Sequence, residues 1–202
     1  MTFTKPQIAI LIFTVLYLLY FGQYFVRALN YEFIAYAGLV VVMTAFLYGT
    51  LRITRFPLYI VAGLSLWGLL HMMGGGVMTE DGVLYAWRVY PFFDGGGEFY
   101  ILKFDQLIHA GLYGVVALMF LHLLREVVGI KTHVAFIAVV AVLASAGFSI
   151  INEIIEFTAV VMIPETGVGG YYNTVLDLIF NLLGAAIAVI GYFLVRKLKS
   201  GS

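Results

Sequence analysis

Asp105 and His109 stand four residues apart, with Tyr113 one turn further along. Ser149, Glu153 and Glu156 follow the same spacing, with Asn152 beside them. Asn173, Asp177 and Asn181 are successive steps of four, and Gly184 continues their line. Ser65, Gly68 and His71 step by three. Residues three and four apart share one face of a helix, so each segment presents one polar stripe. Such stripes can do two kinds of chemistry. Glu153 or Glu156 can serve as the base of a hydrolysis or transfer reaction. His71, Asp105, His109 and Asp177 offer nitrogen and oxygen donors suited to a divalent metal ion such as Zn²⁺, Mn²⁺ or Fe²⁺. Asn152, Asn181, Tyr113 and Arg88 are the polar groups expected to bind a substrate. Four carboxylates (Asp105, Glu153, Glu156, Asp177) cannot all be ionised beside two imidazoles in a low-dielectric site without compensation. Bound protons, positive charge from the histidines or Arg27, or a metal would supply it. A purely structural polar network, or a proton- or ion-coupled site, uses the same residues.

The elements that carry these stripes are apolar. Of the 202 residues, 63% are hydrophobic and 11% charged, against about 45–50% and about 25% in an ordinary soluble domain. That composition excludes a soluble globular domain, a disordered chain and a nucleic-acid binder. The lack of cysteine excludes a disulfide framework, a thiolate metal site and a cysteine nucleophile. About 20 apolar residues cross the hydrocarbon of a bilayer. The chain holds six such runs, over residues 8–26, 33–51, 58–73, 105–124, 134–162 and 173–195. The expected fold is therefore all-α: a single integral-membrane domain, a polytopic bundle of six transmembrane helices. Pro6 and Pro57 stand at the starts of runs, where a missing N–H costs nothing. Pro164 closes the fifth run. The one long connection, residues 74–104, includes Pro91 and opens on the glycines 74–76. Its stretches 83–93 and 98–104 suit a hairpin, and Tyr85, Trp87, Tyr90, Phe92 and Phe99 suit a headgroup zone. An interfacial cap is expected there. No cleavable signal peptide is expected in the first run.

Positive charge sets the expected orientation. Lys5, Arg52, Arg55, Arg125, Lys131, Arg196, Lys197 and Lys199 fall on one side, and Arg27, Arg88 and Lys103 on the other. Both termini are then cytoplasmic. Of the acids, only Glu126 falls on the cytoplasmic side; the others, Glu32 and Glu165 among them, lie outside or in the outer half of a span. His71 then ends the third span, Asp105 and His109 open the fourth, and Asn152, Glu153 and Glu156 lie near the exit of the fifth. Asn173, Asp177 and Asn181 lie at the entrance of the sixth. All reach one depth, the outer edge of the membrane, where ionisable groups mark function. His122 and His133 fall at the opposite ends of their spans, and Met72 and Met73 read as apolar packing.

These residues resemble a known family. His71-x-x-Gly74, an aromatic loop with Tyr85 and Pro91, Asp105-x-x-x-His109, Glu153-Ile-Ile-Glu156-Phe and Asp177 near the start of the last span are together similar to the YjdF-like small inner-membrane proteins. Asp177-x-x-x-Asn181-x-x-Gly184-Ala185 also resembles VanZ-like proteins. The resemblance covers roughly residues 70–186. It implies an envelope-facing protein of a prokaryotic cytoplasmic membrane, multi-pass, in a family with no settled activity.

The sequence contains no phosphate-binding Gly-x-x-x-x-Gly-Lys-Ser/Thr loop and no Gly-x-Ser-x-Gly elbow. No lysine within a span could hold retinal. The expected function is an outward-facing polar pocket that binds a lipid or lipid-linked envelope molecule, with metal- or acid–base-assisted hydrolysis or transfer as its chemistry. The alternative is a non-catalytic lipid- or drug-binding protein or transporter whose network is structural or proton-coupled. Membrane lipids are the expected partners, with no nucleic acid.

Overall fold

The computed structural model describes residues 3–163 and 166–200. Pro164 and Glu165, assigned above to the end of the fifth run and to the outer acids, lie outside the described residues. Six long helices follow the six apolar runs: α1 (Lys5–Arg27), α2 (Tyr31–Thr54), α3 (Leu58–Gly76), α4 (Phe104–His122), α5 (Val134–Met162) and α6 (Tyr171–Ser200). Even the two shortest, α3 and α4 with 19 residues each, are about 28 Å long at 1.5 Å per residue, close to the thickness of a bilayer core. All six are long and apolar enough to cross a membrane.

Local chemistry explains the boundaries. Thr4 and Gln7 cap the start of α1 reciprocally, each side chain accepting from the other's backbone N–H. Asn30 accepts from the Phe33 N–H at 3.1 Å to start α2. Pro57 precedes α3, and a π-helical turn (Leu123–Val127) ends α4. Large apolar side chains such as Leu19, Val42, Phe46, Leu143, Phe157 and Ile187 stay exposed on the outer faces. That exterior suits lipid tails as the surrounding medium.

Helix α4 is the centre of the bundle, packed against α3, α5 and above all α6, while α1 packs on α2 and α3. Small residues permit the tight α4–α6 crossing. A Cβ at Gly184 would collide with the backbone carbonyl of Ala110, and one at Gly114 would press on the Gly184 carbonyl at 3.2 Å. Below the crossing, Ala117, Leu121, Ile137, Ala141, Ala185 and Val189 form an apolar core.

The glycines 74–76 differ from expectation, being the last turn of α3 rather than the start of the loop. Their missing side chains make room for rings: Tyr85 lies where a Gly74 Cβ would stand, and Phe33 occupies the same place at Gly75. The rest of the connection forms a cap of two hairpins, as its aromatic and β-branched stretches predict. A small hairpin pairs β1 (Met78–Thr79) with β2 (Gly82–Val83), and a larger one pairs β3 (Arg88–Asp94) with β4 (Tyr100–Lys103). Pro91 therefore sits in a strand, not a loop, within the stretch where the ladder register shifts and a missing N–H is tolerated. The cap is fastened to the bundle. Gln106 accepts from the N–H groups of Leu102 (2.7 Å) and Lys103 (3.1 Å) and donates to the Tyr100 carbonyl (2.9 Å). The Phe99 ring stacks on Tyr172 of α6 at 5.1 Å.

Candidate functional site

At the cap end of the bundle, α3, α4, α5 and α6 bring their polar stripes together beneath one open pocket of about 250 Å³. His109 is the hub. Its Nδ1 donates to Asn181 Oδ1 at 3.1 Å. Its Nε2 lies 3.5 Å from Asp105 Oδ1 and 3.8 Å from Glu156 Oε1, and Glu153 Oε1 stands 4.0 Å from Nδ1. Asn173 ties the carboxylates of two helices, donating to Asp177 Oδ2 at 2.7 Å and Asp105 Oδ2 at 3.3 Å. Asn152 donates to Glu156 Oε1 at 2.7 Å. The helical registers read from the sequence place these groups, and the small-residue crossing of α4 and α6 brings Asp105, His109, Asp177 and Asn181 into reach of one another.

Several buried polar atoms have no hydrogen-bond partner among the described residues: both carboxylate oxygens of Glu153, Asp177 Oδ1 and Asn181 Nδ2. Asp177 and Asn181 are 0% exposed. Native interiors leave few such groups, and each calls for an explanation. Two sets of donor atoms gather within 4.8 Å of one another, Asp105–His109–Asp177 and Glu153–Glu156–Asp177, sharing Asp177.

His71 stands apart from the other expected metal ligands. Its ring stacks on Trp67 at 5.0 Å and lies 5.4 Å from Tyr36. Its Nδ1 is hydrogen-bonded to the Tyr85 hydroxyl. Burial, with the negative charge of Asp105 adding to it, holds the Tyr85 phenol well above its ordinary pKa. Tyr85 is thus the donor and His71 Nδ1 the acceptor, so that nitrogen's lone pair is occupied. His71 belongs to the pocket wall rather than to the carboxylate cluster. Tyr85→Phe leaves this buried nitrogen without its donor and is expected to cost about 1–3 kcal/mol of stability, read as a lower Tm. A difference titration of the two proteins by ultraviolet absorbance should show no Tyr85 ionisation step near the ordinary tyrosine pKa of about 10.

Arg88 is also displaced from its expected role. Its guanidinium lies 3.7 Å from Asp94 and 4.9 Å from the Tyr100 ring centroid, engaged within its own hairpin and away from the pocket lining. Arg27 is exposed at the end of α1. Lys103 is the one Lys or Arg among the described residues lining the pocket, and its Nζ donates to the Glu98 carbonyl at 3.2 Å. Tyr113 is buried below His109, their ring centroids 6.4 Å apart. Asn152 lines the pocket, whereas Asn181 lies beneath it.

The structure adds residues that the stripes did not single out. Glu32 and Tyr36, an i, i+4 pair on α2, line the opposite wall, and Glu32 accepts from the Gly167 N–H at 2.7 Å. Glu98 of the cap accepts from the Gly170 N–H at 2.9 Å, so the segment before α6 closes over the pocket edge. The Glu32–Tyr36 spacing carried the same signal as Asp105–His109; Glu98 carried none. His122 bonds the Thr54 carbonyl at 2.9 Å at the far end of the bundle, and His133 is exposed.

No curated protein and no solved structure matches the chain. A family model does, described as a predicted membrane protein (DUF2238), and it matches residues 8–197. This fits the YjdF-like resemblance carried by His71, Asp105, His109, Glu153, Glu156 and Asp177. With its six membrane-length helices and a family match over nearly its whole length, this chain is a multi-pass membrane protein that belongs to the DUF2238 family.

Proposed function

We propose that this protein binds an amphiphile, a lipid or lipid-linked envelope molecule, with the polar head in the carboxylate-lined pocket and the hydrocarbon chain in the bundle below. The observation that carries this reading is Trp67. It stands on the wall of the polar pocket and also on that of an apolar groove of about 330 Å³. The groove runs among α1 to α5 between Val40, Thr44, Phe46, Leu64, Val116 and Phe148. A ligand spanning both would present two solvation preferences in the order the protein offers them. A soluble solute would leave the groove unused. Transport is the weaker reading, because Ala117, Leu121, Ile137 and Val189 pack the core below His109 with apolar atoms.

We place the pocket on the outer face of a prokaryotic cytoplasmic membrane. The Lys- and Arg-rich ends of α1 to α6 lie opposite the cap, which the positive-inside rule assigns to the cytoplasm.

A catalytic second reading is favoured by Glu153, whose two oxygens accept no hydrogen bond among the described residues beside His109. Glu153 or Glu156 would take a proton from water. The water oxygen would add to an electrophilic carbon or phosphorus of the head, and the departing oxygen would leave with the proton that the glutamate took.

Lipid extraction and mass spectrometry of protein purified in mild detergent tests the binding reading. Wild type should carry an amphiphile enriched over bulk membrane lipid. Thr44→Phe, which fills the groove, should lose it with folding intact. Equal lipid profiles for the two proteins would overturn the proposal.

A further inference from the structure

We infer that Asp105, His109 and Asp177 hold one divalent metal ion at the floor of the polar pocket, with Glu153 and Glu156 on its other side. Five observations converge. The donor atoms of the first three lie within 4.8 Å of one another, and Asp177 shares the same spacing with the two glutamates. Donor atoms bonded to a tetrahedral ion at 2.0–2.2 Å stand about 3.4 Å apart, and His109 Nε2 already lies 3.5 Å from Asp105 Oδ1. Asp177 is fully buried with Oδ1 unpartnered, and both oxygens of the nearly buried Glu153 are equally bare. An uncompensated buried carboxylate is costly, and a cation removes that cost.

The imidazole is already set for ligation. Nδ1–H of His109 is held by Asn181 Oδ1, which leaves Nε2 turned toward Asp105 and Glu156. Metal-binding histidines characteristically donate their second ring N–H to a fixed partner in this way. Finally, among the described residues the one Lys or Arg lining the pocket, Lys103, donates to the Glu98 carbonyl of the cap rather than to these carboxylates. The mixed nitrogen and carboxylate donor set suits Zn²⁺ or Mn²⁺. The ion would also let an acid-lined pocket accept an anionic head. That last consequence rests on the amphiphile reading, but the metal site does not.

The test uses the full chain, purified in detergent, stripped with chelator, equilibrated with Zn²⁺ or Mn²⁺ alone and freed of unbound metal by gel filtration. Elemental analysis should find close to one retained ion per chain, and the metal should raise Tm. Asn181→Ala should weaken affinity about 10–100-fold, the usual cost of losing an orienting partner, and Asp177→Asn by at least as much. His71→Gln should keep the ion, since its Nδ1 bonds Tyr85 instead. Wild type that retains neither metal and shows no shift in Tm overturns the inference, whatever the variants do. So does Asp177→Asn binding as tightly as wild type, or metal lost in His71→Gln but kept in Asp177→Asn. Should Asp177→Asn not fold, the wild-type measurement and Glu156→Gln still decide. Lipid analysis of the same sample reports on the amphiphile separately, so the two readings fail independently.

Discussion

Gly184→Val should unfold the bundle more readily than any exposed substitution, at a cost of about 3 kcal/mol or more. The added Cβ would run into the Ala110 carbonyl across the α4–α6 crossing. A flexible side chain can swing away from such a collision. A helical backbone carbonyl cannot, so the two helices must separate. Separation also pulls Asp177 and Asn181 on α6 away from Asp105 and His109 on α4, so the site fails together with the fold. Gly111→Ala on α4 is the control. Its Cβ meets nothing within 4 Å, and the gain in helix propensity should raise stability by up to about 1 kcal/mol. Thermal unfolding of the detergent-solubilised proteins measures both. Equal Tm values for Gly184→Val and wild type would show that the crossing is not as tight as the structure has it.

His109→Ala is the second large effect, expected to cost about 3–5 kcal/mol when measured with excess chelator. That is the range for removing one partner from a buried charged network. The imidazole faces Asp105, Glu153 and Glu156 and bonds Asn181. Without it, the carboxylates repel one another in a low-dielectric site, and Asn181 loses its hydrogen bond. Partial rescue distinguishes this cause from a simple packing defect. Adding Glu153→Gln to His109→Ala removes one of the opposed charges, so the double variant should regain part of the lost Tm. If the second change lowers Tm further, by the amount it costs in wild type, the loss at His109 is packing and not electrostatics.

Much of the site was legible before any coordinates. The i, i+4 pairs Asp105–His109 and Asp177–Asn181 are local geometry, fixed by 3.6 residues per turn once the segments are helices. The six apolar runs guarantee helices, because a backbone in lipid must satisfy its own hydrogen bonds. The alternating direction of six spans then brings the polar ends of α3 to α6 to one end of the bundle. The cap hairpin was also readable, from its β-branched and aromatic runs between glycines.

What escaped the sequence depends on contacts between residues far apart in the chain. Whether the glycines 74–76 turn or stay helical is decided by Phe33 and Tyr85, which fold onto them from elsewhere. His71 leaves the cluster because Tyr85, 14 residues on, captures its Nδ1. Arg88 is lost to the pocket because Asp94 and Tyr100 hold it within the cap. Glu98 enters the pocket wall because the segment before α6 comes to meet it. The amino-acid order alone determined the helices, their polar faces and the level at which those faces meet, since each follows from hydrophobicity and helical pitch within a few turns. Only the tertiary structure decided which helices touch, which acids share Asp177 and which side chains are already engaged, because those outcomes rest on close packing at Gly114 and Gly184 and on loop residues returning across the chain.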